Sequence, residues 1–383
     1  MEKILITGGA GFIGNAIINE LYNKYEFIVL DNFSPQIHGE NYQDSFLYKN
    51  IKDKCLVIKG DVCNSADMAK SLDGADYVIH LAAETGTGQS MYEINRYTNV
   101  NILGTSNLFE TILKNKIAVK KIILSSSRSV YGEGMYRCGK HGVVVPNQRD
   151  VDDMKNGDFE TKCPICNGDV ELLKTTEESP LSPISYYAYT KMAQEKMLEL
   201  MCPTLGVPYT IFRYQNVYGA GQSLSNPYTG ILSIFSKMLL NNQPLNIFED
   251  GKESRDFIHV KDVAAITCDA LKNSKTDNQY FNVGSGEGVS VIKVAETLKK
   301  LYNSSSDIRI SGDFRKGDIR HNIADTAKTE ACCNIIPEYN FEKGMEEFTD
   351  WVKNQELTVN GDFERSLDEM KATGMLLSKS EGE

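Results

Sequence analysis

Short apolar runs alternate with amphipathic stretches through the first half of the chain. Lys3–Thr7, Phe27–Leu30, Leu56–Gly60, Tyr77–Leu81 and Lys121–Ser125 read as strands, each brief, apolar at successive positions and bounded by turn-forming residues. Between them, Phe12–Asn23, Ala66–Leu72 and Tyr97–Leu113 carry apolar residues at helical spacing. A strand followed by a helix, repeated in this way, predicts an α/β fold built on a doubly wound parallel sheet.

The periodicity collapses between Tyr131 and Ser182, a polar stretch of about fifty residues that reads as an insertion. A helix resumes over Ser185–Met201 and a strand over Tyr209–Tyr214; after Gly219 the segments are shorter, up to a strand–helix tract at Tyr280–Leu301 and a charged C-terminal helix. The expected organisation is a nucleotide-binding domain over 1–132 and 179–218 and an insertion over 133–178. A smaller C-terminal α/β substrate lobe follows over 219–345, with strands returning to the first domain, and a helical extension over 346–383.

A length of 383 residues leaves room for a large domain with an appended lobe. Forty-one Lys and Arg against 52 Asp and Glu give a formal charge of -11, which disfavours nucleic acid and anionic lipid as partners. An anionic small ligand must therefore be held by local arginines. Nine cysteines without a secretory leader point to a reducing, cytoplasmic setting, and no run approaches the roughly 18 apolar residues of a membrane span.

The first strand runs into Gly8-Gly9-Ala10-Gly11-Phe12-Ile13-Gly14 and then a helix. Glycine lets the backbone approach a pyrophosphate, and the helix N-terminus behind it offers free N–H groups; a plain structural turn is the alternative. Asp31, ending the second strand with Asn32 beside it, would accept from the adenosine ribose hydroxyls and repel a 2′-phosphate, favouring NAD over NADP. Tyr187 and Lys191 stand four residues apart, hence on one helix face. A phenol titrates near pH 10, so it serves as a base only where a neighbouring cation stabilises the phenolate. Such a pair on its own is more often a solvated surface pair.

The glycine spacing, Asp61-Val62, His80-Leu81-Ala82-Ala83, Asn101 before Gly104-Thr105, and Tyr187 with Lys191 after Ser125-Ser126-Ser127 together resemble the extended short-chain dehydrogenase/reductases. The likeness extends over about residues 3 to 330 and is to their nucleotide-sugar epimerases and dehydratases. It implies a Rossmann-type fold with tightly bound, recycled NAD held by Gly8, Gly11, Phe12, Ile13, Gly14, Asp31, Asn32, Asp61, Val62, Leu81, Ala82, Ala83, Asn101, Ser125, Tyr187, Lys191 and Tyr214. It implies catalysis by Tyr187, Lys191 and Ser127, with Ser127 and Tyr187 on the reacting sugar. Asn216, Arg255, Arg315 and Asp318 fall in family segments that take the rest of the nucleotide sugar; Asp318 either positions an arginine or binds a ribose. His259 reads as structural, and Gln89 and Gln222 as guesses for base or sugar recognition.

Family members that eliminate water carry Asp-Glu where this chain has Arg128-Ser129, which favours 4-epimerisation through a transient 4-keto sugar over dehydration. A dehydratase or decarboxylating enzyme, another UDP- or GDP-sugar epimerase, and a non-catalytic dinucleotide sensor are the competing readings. Within the insertion, Cys138-Gly-Lys-His141 and Cys163-Pro-Ile-Cys166 form two ligand pairs with the spacing of a zinc ribbon, so Cys138, His141, Cys163 and Cys166 are expected to hold a closed, structural Zn²⁺; free thiols are the alternative. This insertion, the Gly86–Tyr92 loop and the Ser-Arg-Ser-Val-Tyr-Gly run narrow the resemblance to the family's dTDP-L-rhamnose 4-epimerase branch, which forms dTDP-6-deoxy-L-talose. The family also implies a homodimer, paired through the helix carrying Tyr187 and the one over Tyr97–Leu113.

Overall fold

The computed structural model describes all residues except 225, 227–229, 334, 356–361 and 380–383. Seven parallel strands form the central sheet: β1 (Lys3–Thr7), β2 (Glu26–Asp31), β3 (Leu56–Lys59), β4 (Tyr77–His80), β5 (Lys121–Ser127), β9 (Tyr209–Tyr214) and β13 (Gln279–Val283). Their order is β13-β9-β5-β4-β1-β2-β3, so strand order reverses beside β1 and a crevice opens there at the carboxyl ends. The unbroken apolar runs follow from helices covering both faces. On β1, Ile4 and Ile6 face the helices Phe12–Leu21 and Val260–Asp269, whereas Leu5 faces Ser65–Leu72, Gly104–Asn115 and Tyr186–Leu205. Each such side chain, wholly buried, contributes about 1.5–3 kcal/mol.

The helix expected over Tyr97–Leu113 is interrupted. An α-helical turn at Ile94–Tyr97 passes into a π-helical stretch at Thr98–Leu103 before α-helix resumes at Gly104–Asn115. Apolar spacing does not distinguish a π turn, which is a local insertion into the ladder.

Between β5 and β9, the insertion carries β6 (Tyr136–Cys138), β7 (Gly142–Val144) and β8 (Val170–Leu172), a small antiparallel sheet ordered β7-β6-β8, and a short helix at Val151–Lys155. Beyond β9 the chain builds a second sheet from β10 (Asn216–Tyr218), β12 (Ser254–His259), β14 (Gly288–Ser290) and β17 (His321–Asn322), and a parallel pair from β11 (Leu245–Ile247) and β15 (Ile308–Ile310). Phe235, Phe257, Leu298 and Phe348 sit in the core of this lobe, while β13 returns to the main sheet with Phe281 opposite Phe212.

The C-terminal stretch departs from a purely helical extension. The helix Phe341–Lys353 spans the expected boundary at residue 346, because Phe341, Met345 and Phe348 belong to the lobe's core. After the helix Asp362–Ala372, the strand β18 (Leu376–Leu377) pairs antiparallel with β16 (Phe314–Arg315). No helix among the described residues is long and apolar enough to cross a membrane.

Candidate active site

A cavity of about 620 Å³ opens at the carboxyl ends of β1, β2, β4, β5 and β9 and continues into the second lobe. The glycine loop forms one wall. Gly8 has φ +68°, and a Cβ there would fall 2.8 Å from the backbone of Ala82; a Cβ on Gly14 would fall 2.6 Å from Gly9. The loop and its helix can therefore pack this closely only as glycine, leaving the N–H groups of the first helical turn facing the cavity. Asp31 is buried and accepts from Ala10 N at 3.1 Å and Phe33 N at 2.9 Å. Burial nevertheless raises its carboxyl to about 6. Asn32, Asp61, Val62, Leu81, Ala82 and Ala83 line the same end.

Asn101 does not join this wall. It is fully buried in the π-helical stretch, where its amide accepts from Glu84 N (2.8 Å) and donates to the Glu84 carbonyl (3.1 Å) and to Thr190 Oγ1 (2.9 Å). Its side chain thus ties the loop after β4 to the helix Tyr186–Leu205, bonding the Glu84 backbone from inside the helix. His80 lies equally deep between Thr7 and Thr105, its pKa lowered to about 3 by burial and hence neutral.

Ser127 ends β5, and the helix Tyr186–Leu205 starts at an N-cap in which Ser185 accepts from Ala188 N. That helix carries Tyr187 and Lys191 into the cavity beside Ser127. Ser90 Oγ accepts from Tyr187 N at 3.0 Å, fixing the helix start against the loop after β4. Desolvation holds the Tyr187 phenol above its ordinary value, opposed by a hydrogen bond with Ser127 and by the Arg128 charge. Lys191 donates to the Ser125 carbonyl at 2.8 Å and is brought down to about 7 by burial, against the pull of Glu195. Glu195 is itself buried, accepting from Ser126 Oγ and from both Nε and Nη2 of Arg213. Tyr214 lines the cavity between the catalytic residues and the second lobe, its hydroxyl bonded to Thr267.

Cations collect at the far end. Arg255 donates to Asp318 Oδ1 at 3.0 Å, so Asp318 positions an arginine. Burial works against the Asp318 carboxylate, but Arg255, Arg315, Arg149 and Arg128 outweigh it and hold its pKa down. Arg315 lies over the Phe248 ring, 5.0 Å from its centroid, with Nε buried and unpaired. Two polar residues on this wall escape sequence reading. Arg128 donates through Nε to Asn216 Oδ1 at 2.8 Å, leaving Nη1 buried without a partner, and is brought to about 9 by burial. Glu253 is buried, its Oε2 making no hydrogen bond but lying 3.8 Å from Arg320 Nη1, and burial raises it to about 8. Its position two residues before Arg255, just ahead of β12, is the one local signal that could have found it. Gln222 also lines the cavity, whereas Gln89 is buried among Gln36, Glu93 and Tyr97. His259 is buried as expected but only half satisfied: Nδ1 accepts from Lys261 N and Nε2 has no hydrogen bond.

Away from the cavity, ligand atoms of Cys138, His141, Cys163 and Cys166 all lie within 4.8 Å of one another. His141 Nδ1 is 3.5 Å from the sulfurs of both Cys138 and Cys163, and Cys138 Sγ is 3.8 Å from Cys166 Sγ. The insertion reaches the cavity wall through Arg149, which makes a two-point ion pair with Glu249 at 2.8 Å and donates to the Asp318 carbonyl at 2.9 Å.

The sequence profile of the NAD dependent epimerase/dehydratase family matches residues 4–147 and 165–284. The chain is 35% identical to a dTDP-L-rhamnose 4-epimerase of Burkholderia thailandensis over 92% of its own length and 96% of the relative's. It is 31% identical to a putative UDP-glucose 4-epimerase of Methanocaldococcus jannaschii, covering 93% of this chain and all of that one. Among solved structures, it is similar to the UDP-glucuronic acid 4-epimerase of Bacillus cereus in complex with UDP-glucuronic acid and NAD. There the TM-score is 0.74 and the identity 26%, over 92% of this chain and 99% of the other.

Proposed function

Because the chain belongs to the NAD dependent epimerase/dehydratase family, whose members matched here are NAD-dependent sugar-nucleotide epimerases, we propose that it inverts C4 of a dTDP-6-deoxyhexose. The reaction is dTDP-L-rhamnose to dTDP-6-deoxy-L-talose. The observation that carries this reading is Ser127, Tyr187 and Lys191 meeting at a dinucleotide crevice, with Arg128-Ser129 where an eliminating enzyme needs an acid and a base. The glycine loop and Asp31 fit NAD: a cradle that any Cβ would fill, and a buried carboxylate for the ribose hydroxyls. Gly8, Gly11, Gly14 and Asp31 would hold NAD, which when bound would supply reversible hydride chemistry at C4 of the sugar.

The protein's own groups perform the rest. Ser127 orients the C4 hydroxyl, and Tyr187 Oη takes its proton and later gives it back. The Arg128 charge lowers the cost of the phenolate, and Lys191 adds to this in its protonated form. Asn216, Arg128, Arg255 and Arg315 hold the diphosphate, which is how a chain of net charge -11 keeps a dianionic ligand. Arg128, a guanidinium with donors and no acceptor, does not supply the proton acceptor that elimination requires. Tyr187→Phe is expected to lower epimerisation by about 10²–10⁴-fold with NAD binding retained, as for removal of a general base; turnover within a few-fold of wild type overturns the assignment.

The insertion is assigned a structural Zn²⁺ held by Cys138, His141, Cys163 and Cys166. Tetrahedral zinc with Zn–S bonds of about 2.3 Å needs sulfurs about 3.8 Å apart, the spacing between Cys138 and Cys166. Four protein ligands leave no open position for catalysis. A homodimer is proposed as well, supported by exposed Leu103, Leu113, Tyr189 and Leu200 on or beside the helices Gly104–Asn115 and Tyr186–Leu205.

A further inference from the structure

The stretch that follows the lobe's last core helix is built into the cavity. Met370, on the helix Asp362–Ala372, is 5% exposed and lines the cavity that holds Tyr187 and Ser127. It also lines the narrow cleft between Thr87-Gly88, at the loop after β4, and Arg315–Asp318. Its sulfur lies 3.5 Å from where a Cβ on Gly88 would stand. Two residues on, Ser90 bonds the backbone of Tyr187, so Met370 is seated over the cavity between the reacting end and the arginines.

The segment is fastened on both sides of that point. Tyr92 donates to Glu369 at 3.4 Å on the loop side. Met375 N donates to the Met370 carbonyl at 2.8 Å, Lys316 N donates to the Met375 carbonyl at 2.9 Å, and Leu376 pairs with Arg315 across β16 and β18. Leu377 packs against Met154, Phe159 and Phe314. These contacts hold an unbranched thioether on the cavity wall between Thr87-Gly88 and Arg315–Asp318.

We infer that Met370 is a specificity-determining residue: its thioether forms an apolar wall that selects a hexose with a methyl group at C5, a 6-deoxy sugar, over one with a hydroxymethyl there. The inference rests on the proposed 6-deoxyhexose reading and deepens it. A methyl group buried against sulfur and carbon keeps its contacts and needs no partner. A hydroxymethyl group set against the thioether loses water on that side, and the sulfur is only a weak acceptor in return.

The test uses the full chain loaded with NAD, and compares its Kd for dTDP-L-rhamnose with that for the 6-hydroxylated counterpart, dTDP-L-mannose, by calorimetry. Wild type is expected to prefer the 6-deoxy sugar by about tenfold to a hundredfold, the range over which an apolar pocket rejects an added hydroxyl. Met370→Ala and Met370→Gln are expected to bring that preference to within about threefold of unity, while Met370→Leu, of similar volume, loses less than either. If Met370→Gln does not fold, the Ala and Leu variants carry the comparison. An unchanged preference in Met370→Ala overturns the inference and leaves the epimerase reading standing. Equal binding of the two sugars by wild type overturns the inference together with the 6-deoxy substrate. Failure of the epimerase reading shows separately, as no talose-configured product from dTDP-L-rhamnose by NMR, whatever the binding ratios.

Discussion

Asp31 shows how one residue ties ligand binding to solution conditions. Burial lifts its carboxyl to about 6, although two backbone N–H groups already hold the ionised form. His38, 3.8 Å away, does not offset this, since burial lowers it to about 4 and leaves it neutral. Ribose hydroxyls donate to the carboxylate and not to the acid, so the NAD-bound state prefers Asp31 ionised. Affinity for NAD is therefore expected to be flat above about pH 7 and to weaken below about pH 6, by up to about tenfold per unit. Titration of the protein with NAD between pH 5 and 8 checks this, and a wild-type profile that does not fall at the acid end refutes it; Asp31→Asn is expected to bind weakly at every pH. The residues on this wall were legible in the sequence because their signals are local. Gly8, Gly11 and Gly14 are six positions from first to last, and Asp31 ends a strand. The partners of Asn101 were not, because Glu84 and Thr190 lie 17 and 89 residues away from it.

Among the elements, the insertion has the least to hold it together. Its own buried apolar cluster consists of Tyr136, Cys138, Val144 and Cys163, and three strands of three residues each cannot stand on a core of that size. A bound metal supplies what the core lacks, since binding free energy in such modules is folding free energy. One zinc per chain is expected by elemental analysis of protein purified without chelator, and none in Cys166→Ala. Stripping the metal is expected to raise KM more than it lowers kcat, because the insertion supplies Arg149 to Glu249 and Asp318 on the substrate wall. Metal-free wild-type protein with unchanged stability sinks the idea. The four ligands were readable from two short spacings; the helix over 94–115 was readable as a helix but not for its π turn, which leaves the apolar period nearly intact.

At the scale of the molecule, the exposed leucines on the helices flanking the catalytic residues predict self-association. Sedimentation equilibrium is expected to give twice the chain's 42.8 kDa, and a monomer at micromolar concentration contradicts the pairing. The central sheet emerged from the sequence because each strand–helix unit is contiguous. The contacts that complete the substrate end were hidden for the opposite reason. Met370 meets Gly88 across the whole length of the nucleotide-binding domain and the lobe, and Arg149 finds Glu249 a hundred residues downstream.

That last pair belongs to a larger buried cluster. Glu133 and Arg149 come from the insertion, and Glu249, Glu253, Asp318 and Arg320 from two stretches of the lobe. Removing one partner from such a cluster strands a buried charge, at a cost of about 3–5 kcal/mol. A partly folded form that lacks any one of the three stretches carries that penalty. The insertion and the lobe are consequently coupled, so that loosening the insertion withdraws charge partners from the buried core of the lobe's substrate end.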